Sequence, residues 1–246
     1  MRPLTAQVRA ELTMLFTNGE TVLLTIGIPV VFLLFFSGVH VLPTGFSHPV
    51  DFLVPGVLAL AIMATAMTAL GIGTGFERGY GVLKRLGSTP LGRPRLLGAK
   101  ITSIVAVELV QGAVLVAVGF ALGWSPGGPG GAGALVGAAI GAMVLGTVAF
   151  GGIGLLLAGT LRPLANLAIV NALFVVLLLL GGMLVPLAKL PGWLEGIAKV
   201  LPASALADAL HAALGQGAQV SATDWIVLAA WAVGAPLVAG LTFRWE

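Results

Sequence analysis

Along most of this chain apolar residues follow one another without interruption, and polar or charged residues gather in the stretches between. The runs lack the alternation of apolar and polar positions that a lipid-facing barrel strand requires, and most approach or exceed the ~20 residues of a spanning helix. Backbone groups in lipid must be satisfied internally, so such runs predict helices. Six spans follow, at about 21–42, 52–75, 100–123, 132–160, 164–186 and 224–243. The fourth is longer than one crossing needs, which predicts a tilt or a break at one of its glycines. Ahead of the first span, residues 3–19 place Leu4, Val8, Leu12, Leu15 and Phe16 at helical spacing, with Gln7, Arg9 and Glu11 off that stripe. This is the pattern of an amphipathic helix lying at the membrane surface. Two connections are too long to be simple turns. Residues 76–100 include Val82, Leu83 and Leu86, which suit a short surface helix. Residues 187–223 contain Leu190-Pro191-Gly192-Trp193-Leu194 and then Leu201-Pro202, which predict short helices broken by proline and partly buried at the interface.

Composition agrees with a membrane protein. Hydrophobic residues make up 58 % and charged residues 9 %, against roughly 45–50 % and 25 % in ordinary soluble domains. The placement of charge orients the chain, because cytoplasmic loops retain Lys and Arg. With the N-terminus inside, the cytoplasmic set is Arg2, Arg9, Arg78, Lys84, Arg85, Arg93, Arg95, Lys100, Arg162 and Arg244, ten of the twelve basic residues; Lys189 and Lys199 remain outside. Both termini are therefore expected in the cytoplasm. The first apolar run lacks a cleavage site close behind it, so it is expected to be retained rather than removed as a signal peptide. There is no cysteine, which excludes disulfides and thiolate metal sites. His40, His48 and His211 fall at expected outer-surface positions without ligand spacing, and no metal site is expected. The basic residues form no groove with aromatic interleaving, so no nucleic-acid partner is indicated. No set of nucleophile, base and acid converges on neighbouring elements, and the chain itself is not expected to be catalytic.

The two long connections, in this order and with six spans around them, resemble those of an ABC-2 type transporter permease, and the likeness is greatest to bacterial drug-export permeases of the daunorubicin-resistance kind. The stretch Phe76-Glu77-Arg78-Gly79-Tyr80-Gly81-Val82-Leu83-Lys84-Arg85-Leu86-Gly87-Ser88-Thr89-Pro90-Leu91 is similar to the family's cytoplasmic signature: an acid, a base, glycine, a short apolar step, a basic-Leu pair, then Thr-Pro-Leu. Tyr80-Gly81 departs from the tighter Gly-Thr-Leu of that pattern. The outer segment at 187–223 is similar to the family's pair of short extracellular helices. The resemblance implies an all-α integral membrane fold: a single domain over residues 1–246, with an interfacial helix, a cytoplasmic coupling helix in the loop 76–99 and short extracellular helices between spans five and six. It also implies a half transporter in the bacterial plasma membrane. Two permease subunits pair as homo- or heterodimer, each bound by a cytoplasmic ABC ATPase subunit that carries ATP and Mg, and alternating access exports a drug or lipid-like substrate. No G-x-x-x-x-G-K-[ST] loop occurs in the sequence, so the ATPase is expected on a separate chain. Glu77, Arg78, Gly79, Leu83, Lys84, Arg85 and Pro90 are the expected coupling residues, with Glu77, Arg78, Lys84 and Arg85 facing the partner or the lipid headgroups.

The basic loop has a plainer reading as a retention signal that attracts anionic lipid, worth about 1 kcal/mol per basic residue. Within the spans, Glu108 and Gln111 share one helix face, being three residues apart. An intramembrane carboxylate marks a functional candidate, set against a structural role in which it is protonated or hydrogen-bonded within the bundle. Asn166 and Asn171 face a similar choice between helix-to-helix hydrogen bonds and a pathway. Met63, Met67 and Phe174 offer an adaptable apolar surface for a greasy substrate. With Glu108, Gln111 and Asn171 they form the expected substrate path. Gly133, Gly137 and Gly141 repeat G-x-x-x-G, which suits close packing within the bundle or between subunits. Two other functions stay open on these residues: a proton-coupled secondary transporter using Glu108, and a non-transporting membrane scaffold.

Overall fold

The computed structural model describes residues 23–38, 49–87, 93–127 and 135–244, with positions 13, 17 and 19. The described residues form helices and turns without a β-strand. The interfacial helix expected at 3–19 lies outside them, apart from those three positions. Helix α1 (Ile28–Gly38), entered through a π-helical turn at Leu23–Gly27, is the described part of the first expected span. Helix α2 (Pro49–Gly79) crosses next, and a short helix α3 (Val82–Gly87) follows it. Then come α4 (Arg93–Ala121), α5 (Val136–Thr160) and α6 (Pro163–Leu180). Two helices, α7 (Gly192–Ala198) and α8 (Pro202–Gln216), meet at a bend of 88° before α9 (Ala222–Thr242). Among the described residues, α2, α4, α5, α6 and α9 are long and apolar enough to cross a membrane.

Local chemistry sets several of these boundaries. Pro163 and Pro202 open α6 and α8, where the missing N–H has no intrahelical partner to lose. Ser221 caps α9 by accepting a hydrogen bond from the Thr223 amide at 3.2 Å. Several boundaries differ from the sequence expectation: α4 begins at Arg93 rather than 100 and α5 at Val136 rather than 132. Helix α2 continues past residue 75 to Gly79, because Glu77 and Arg78 are held by neighbouring helices. Helix α6 stops at Leu180, six residues before the expected end of the fifth span. There the chain turns through Gly182 (φ +67°), a conformation that favours glycine. The turn brings the Met183 carbonyl against α2 at Gly56, where a Cβ would stand 1.8 Å from the oxygen.

Helix α2 is the centre of the bundle and is buried along almost its whole apolar length. At its middle, Met63–Ala69 widen into a π-helical segment. Next to it α2 and α5 meet backbone to backbone: a Cβ on Gly154 would lie 2.6 Å from the Met67 carbonyl, and one on Gly71 3.0 Å from Gly154 Cα. Helix α5 also packs on α9, where Gly152 makes room for Pro236. The glycines that permit close approach are thus not those of the expected G-x-x-x-G repeat. Gly133 lies outside the described residues, Gly137 faces open space, and Gly141 touches the Trp225 ring.

The outer segment divides into two unlike parts. Helix α7 exposes Trp193 and Ile197 and carries an exposed Lys199–Glu195 ion pair at 2.7 Å, in keeping with an interface. Helix α8, by contrast, belongs to the core rather than the interface. Its Pro-Ala-Ser-Ala-Leu-Ala start is narrow enough to lie against α5 and the end of α6, with Leu206 on Gly146 and Ala203 on Gly181. His211, expected at the outer surface, is buried for the same reason. Its ring stacks on Phe52 at 4.1 Å, and its Nε2 lies 3.0 Å from the Phe52 carbonyl oxygen.

Candidate functional site

One end of the bundle gathers Glu77, Arg78, Lys100, Arg162 and Arg244, and we refer to it as the basic end. Three consecutive residues at the end of α2 each grip a different helix there. The Glu77 carboxylate receives Lys100 of α4, whose Nζ lies 2.6 and 2.7 Å from its two oxygens. The Arg78 guanidinium donates to the carbonyls of Gly159 and Leu161. These are carbonyls at the C-terminus of α5, which lack helical partners and carry the negative end of the helix dipole. The Arg244 amide donates to the same Gly159 carbonyl at 3.1 Å, adding the chain beyond α9 to the cluster. Gly79 then lies against Pro163 of α6, so close that a Cβ would stand 2.4 Å from the Pro163 ring.

Beyond Gly79 the chain reverses at Gly81 (φ +71°) and forms α3. Leu83 is fully buried and anchors this helix, while Lys84 and Arg85 are exposed on it and Tyr80 stands exposed beside it. The expected coupling residues are therefore split. Lys84 and Arg85 present charge outward, whereas Glu77 and Arg78 turn into the bundle, because a partner of opposite charge and a row of unpaired carbonyls await them there. Pro90 lies outside the described residues. The sequence reading counted Lys100 among the cytoplasmic charges and gave it no pairing. A lysine on one span set against an acid at the end of the preceding one was the available signal for its pairing.

A family model described as ABC-2 type transporter matches residues 4–214. The chain belongs to the ABC-2 type transporter family. It is a membrane permease of an ABC transporter, a component that is not itself catalytic. A comparison with curated protein sequences found no match.

The ABC-2 permease also holds polar side chains between its membrane helices, and their partners separate them. Gln111 accepts from the Thr65 hydroxyl at 3.1 Å and donates to the Thr25 carbonyl at 2.6 Å. It ties α4 to the π-helical segments of α2 and of the chain entering α1. Asn166 donates to the Gly71 carbonyl at 2.9 Å, passing over Gly75, where a Cβ would clash with its amide at 2.4 Å. Both are helix-to-helix hydrogen bonds. Asn171 is exposed and donates to Leu167 of its own helix at 2.9 Å. Met63 and Met67 are fully buried in the π-helical segment, and Phe174 packs half-buried against the core. Glu108 shares a helix face with Gln111 but faces another neighbour: its Oε2 accepts from the Thr147 hydroxyl of α5 at 2.6 Å, and its Oε1 has no hydrogen-bond partner. Of the expected substrate path, Met63 and Met67 share the segment that Gln111 grips through Thr65, while Glu108 belongs to the α4–α5 contact. Thr147 was missed from sequence, where its one signal is a hydroxyl within an apolar run. Among the described residues no group of three His, Cys, Asp or Glu side chains could hold a metal ion.

Proposed function

We propose that this permease is the membrane half of an ATP-driven exporter of the drug-export kind, moving an apolar or amphipathic substrate out across the bacterial plasma membrane. Its basic end faces the cytoplasm, as do both termini, in keeping with retention of Lys and Arg on that side. A second permease subunit pairs with it, and each binds a cytoplasmic ABC ATPase that carries ATP and Mg. The observation that carries this reading is the grip of Glu77, Arg78 and Gly79 on α4, α5 and α6. A displacement of α3 by the ATPase is delivered to the end of α2, and from there reaches three further helices through an ion pair, two hydrogen bonds and a packed contact. Rigid packing and hydrogen-bonded networks transmit such a displacement rather than absorbing it. In this arrangement Lys84 and Arg85 meet the ATPase, Leu83 fixes α3 to the permease, and Glu77, Arg78 and Gly79 pass the motion on.

The test is ATP hydrolysis and flux of a lipophilic dye in liposomes holding the permease and its candidate ATPase. The double reversal Lys84→Glu with Arg85→Glu is expected to abolish ATPase-dependent flux while the permease stays folded. Exchanging Glu77 and Lys100 keeps their ion pair and is expected to leave most of the flux. Flux that persists without any ATPase and follows an imposed proton gradient would overturn the reading.

A further inference from the structure

The Glu108 carboxyl lines a crevice between α4 and α5 with a volume of about 170 Å³, walled by Ile62, Val105, Leu109, Met143 and Val144, and its Oε1 is buried without a hydrogen-bond partner. A second, wholly apolar lobe of about 100 Å³ adjoins it toward the basic end, sharing Ile101, Thr147 and Val148 and continuing along Leu70, Ile104 and Leu155. Several wall residues, Val105, Leu109 and Val144 among them, are exposed on the outside of the chain, so the crevice opens laterally. Glu108 lies eight residues beyond Lys100, about 12 Å along the helix at ~1.5 Å per residue. It is thus well inside the apolar layer.

We infer that this crevice is a lateral binding site for a lipophilic primary amine with one slender alkyl chain. The ammonium pairs with the Glu108 carboxylate and the chain lies along the apolar lobe. Three features select that class. The only polar groups described among the lining side chains are the Glu108 carboxyl and the Thr147 hydroxyl, and the hydroxyl shares its one hydrogen between Oε2 and the Met143 carbonyl of its own helix. The polar atom left over is therefore an acceptor in a low-dielectric wall, where a charge-assisted N–H donor compensates an intramembrane carboxylate. The lobes also fall below the roughly 300–1,000 Å³ of sites that enclose drug-sized ligands, which excludes a bulky polycyclic body and admits a single chain. The inference rests on the exporter reading only for the onward fate of the ligand. Binding itself needs no ATPase, so failure of one leaves the other standing.

The test uses the full permease in lipid nanodiscs and two photoreactive probes, dodecylamine and dodecanol, each carrying a diazirine on the chain. Labelled peptides are read by mass spectrometry. The amine is expected to label α4 and α5 around Val105–Leu109 and Met143–Val148 at least tenfold more than the alcohol. Glu108→Gln should remove that excess and leave the alcohol signal unchanged. Val144→Trp, which fills the opening while keeping the carboxyl, should suppress the amine as well and serves if the first variant folds poorly. Unlabelled dodecylamine is expected to compete in nanodiscs of phosphatidylglycerol, whereas nanodiscs of the two-chain phosphatidylethanolamine should leave the labelling unchanged, and competition by that lipid would overturn the single-chain assignment. Equal labelling by amine and alcohol, or an amine signal that survives Glu108→Gln, overturns the assignment.

Discussion

Glu77 and Glu108 are both acidic residues at the edges of packed helices, and their surroundings could hardly differ more. Glu77 meets an ammonium at 2.6 Å and stands in a cluster where Arg78 and the Arg244 amide supply donors to the facing helix end. Glu108 meets one hydroxyl and otherwise apolar walls, with an oxygen to spare. The first arrangement is closed: Glu77 has a counter-charge in Lys100, and the Arg78 guanidinium is bonded to two carbonyls of the facing helix end. The second leaves one buried oxygen without a partner. A carboxylate in a membrane bundle is therefore best judged by whether its own chain has already satisfied it.

Five substitutions can break or sharpen that contrast. The largest effect is expected for Lys100→Ala, which strands the Glu77 carboxylate. Removing one partner of a buried pair costs roughly 3–5 kcal/mol, and Glu77 keeps 31 % of its side chain exposed, so a loss of about 3 kcal/mol or somewhat less is expected. Thermal unfolding in detergent measures it, and a double-mutant cycle with Glu77→Gln should return a large coupling. Next comes Gly79→Val. It forces a side chain into the Pro163 ring and should cost about 1–3 kcal/mol by overpacking, while Val144→Phe, pointing at the open crevice, should change unfolding by less than ~0.5 kcal/mol. If the two variants unfolded alike, the basic end would be no more tightly packed than the crevice.

Thr147→Val removes the hydroxyl that Glu108 accepts from and should cost about 1 kcal/mol. In the Glu108→Leu background the same change should cost nothing measurable, since no acceptor is then left without its donor. A smaller loss than that of Thr147→Val is expected for Asn166→Leu, whose single helix-to-helix hydrogen bond is worth about 0.6 kcal/mol in membrane proteins. Equilibrium unfolding in mixed micelles resolves it only against a matched series. An effect several times larger would mean that Asn166 belongs to the same mechanical cluster as Arg78.

Much of the architecture was legible in advance for a simple reason. Hydrocarbon imposes a one-dimensional rule on the chain, and run length, proline and the placement of Lys and Arg are enough to mark spans and connections. The ends of α2 and α6 were misplaced by a few residues because apolarity does not stop where a helix does. Helix α2 runs on through Glu77 and Arg78, whose partners are far away in sequence, and α6 ends early at a glycine turn inside an apolar stretch. Helix α8 escaped for a related reason. Its small residues look like those of an interfacial segment until Gly146 and Gly181 are found beside them.

By itself the sequence determined that this protein is a helical membrane permease, which end of it carries the positive charge, and that a short amphipathic helix with Lys84 and Arg85 stands at that end. Only the tertiary structure decided which charges are spoken for. Whether Glu77 is paired, Gln111 saturated or Glu108 left with a free oxygen depends on contacts between residues dozens of positions apart. In a bundle of near-uniform apolarity, helix packing settles those contacts through the shapes of glycine, proline and threonine, and hydrophobic patterning carries almost no information about them.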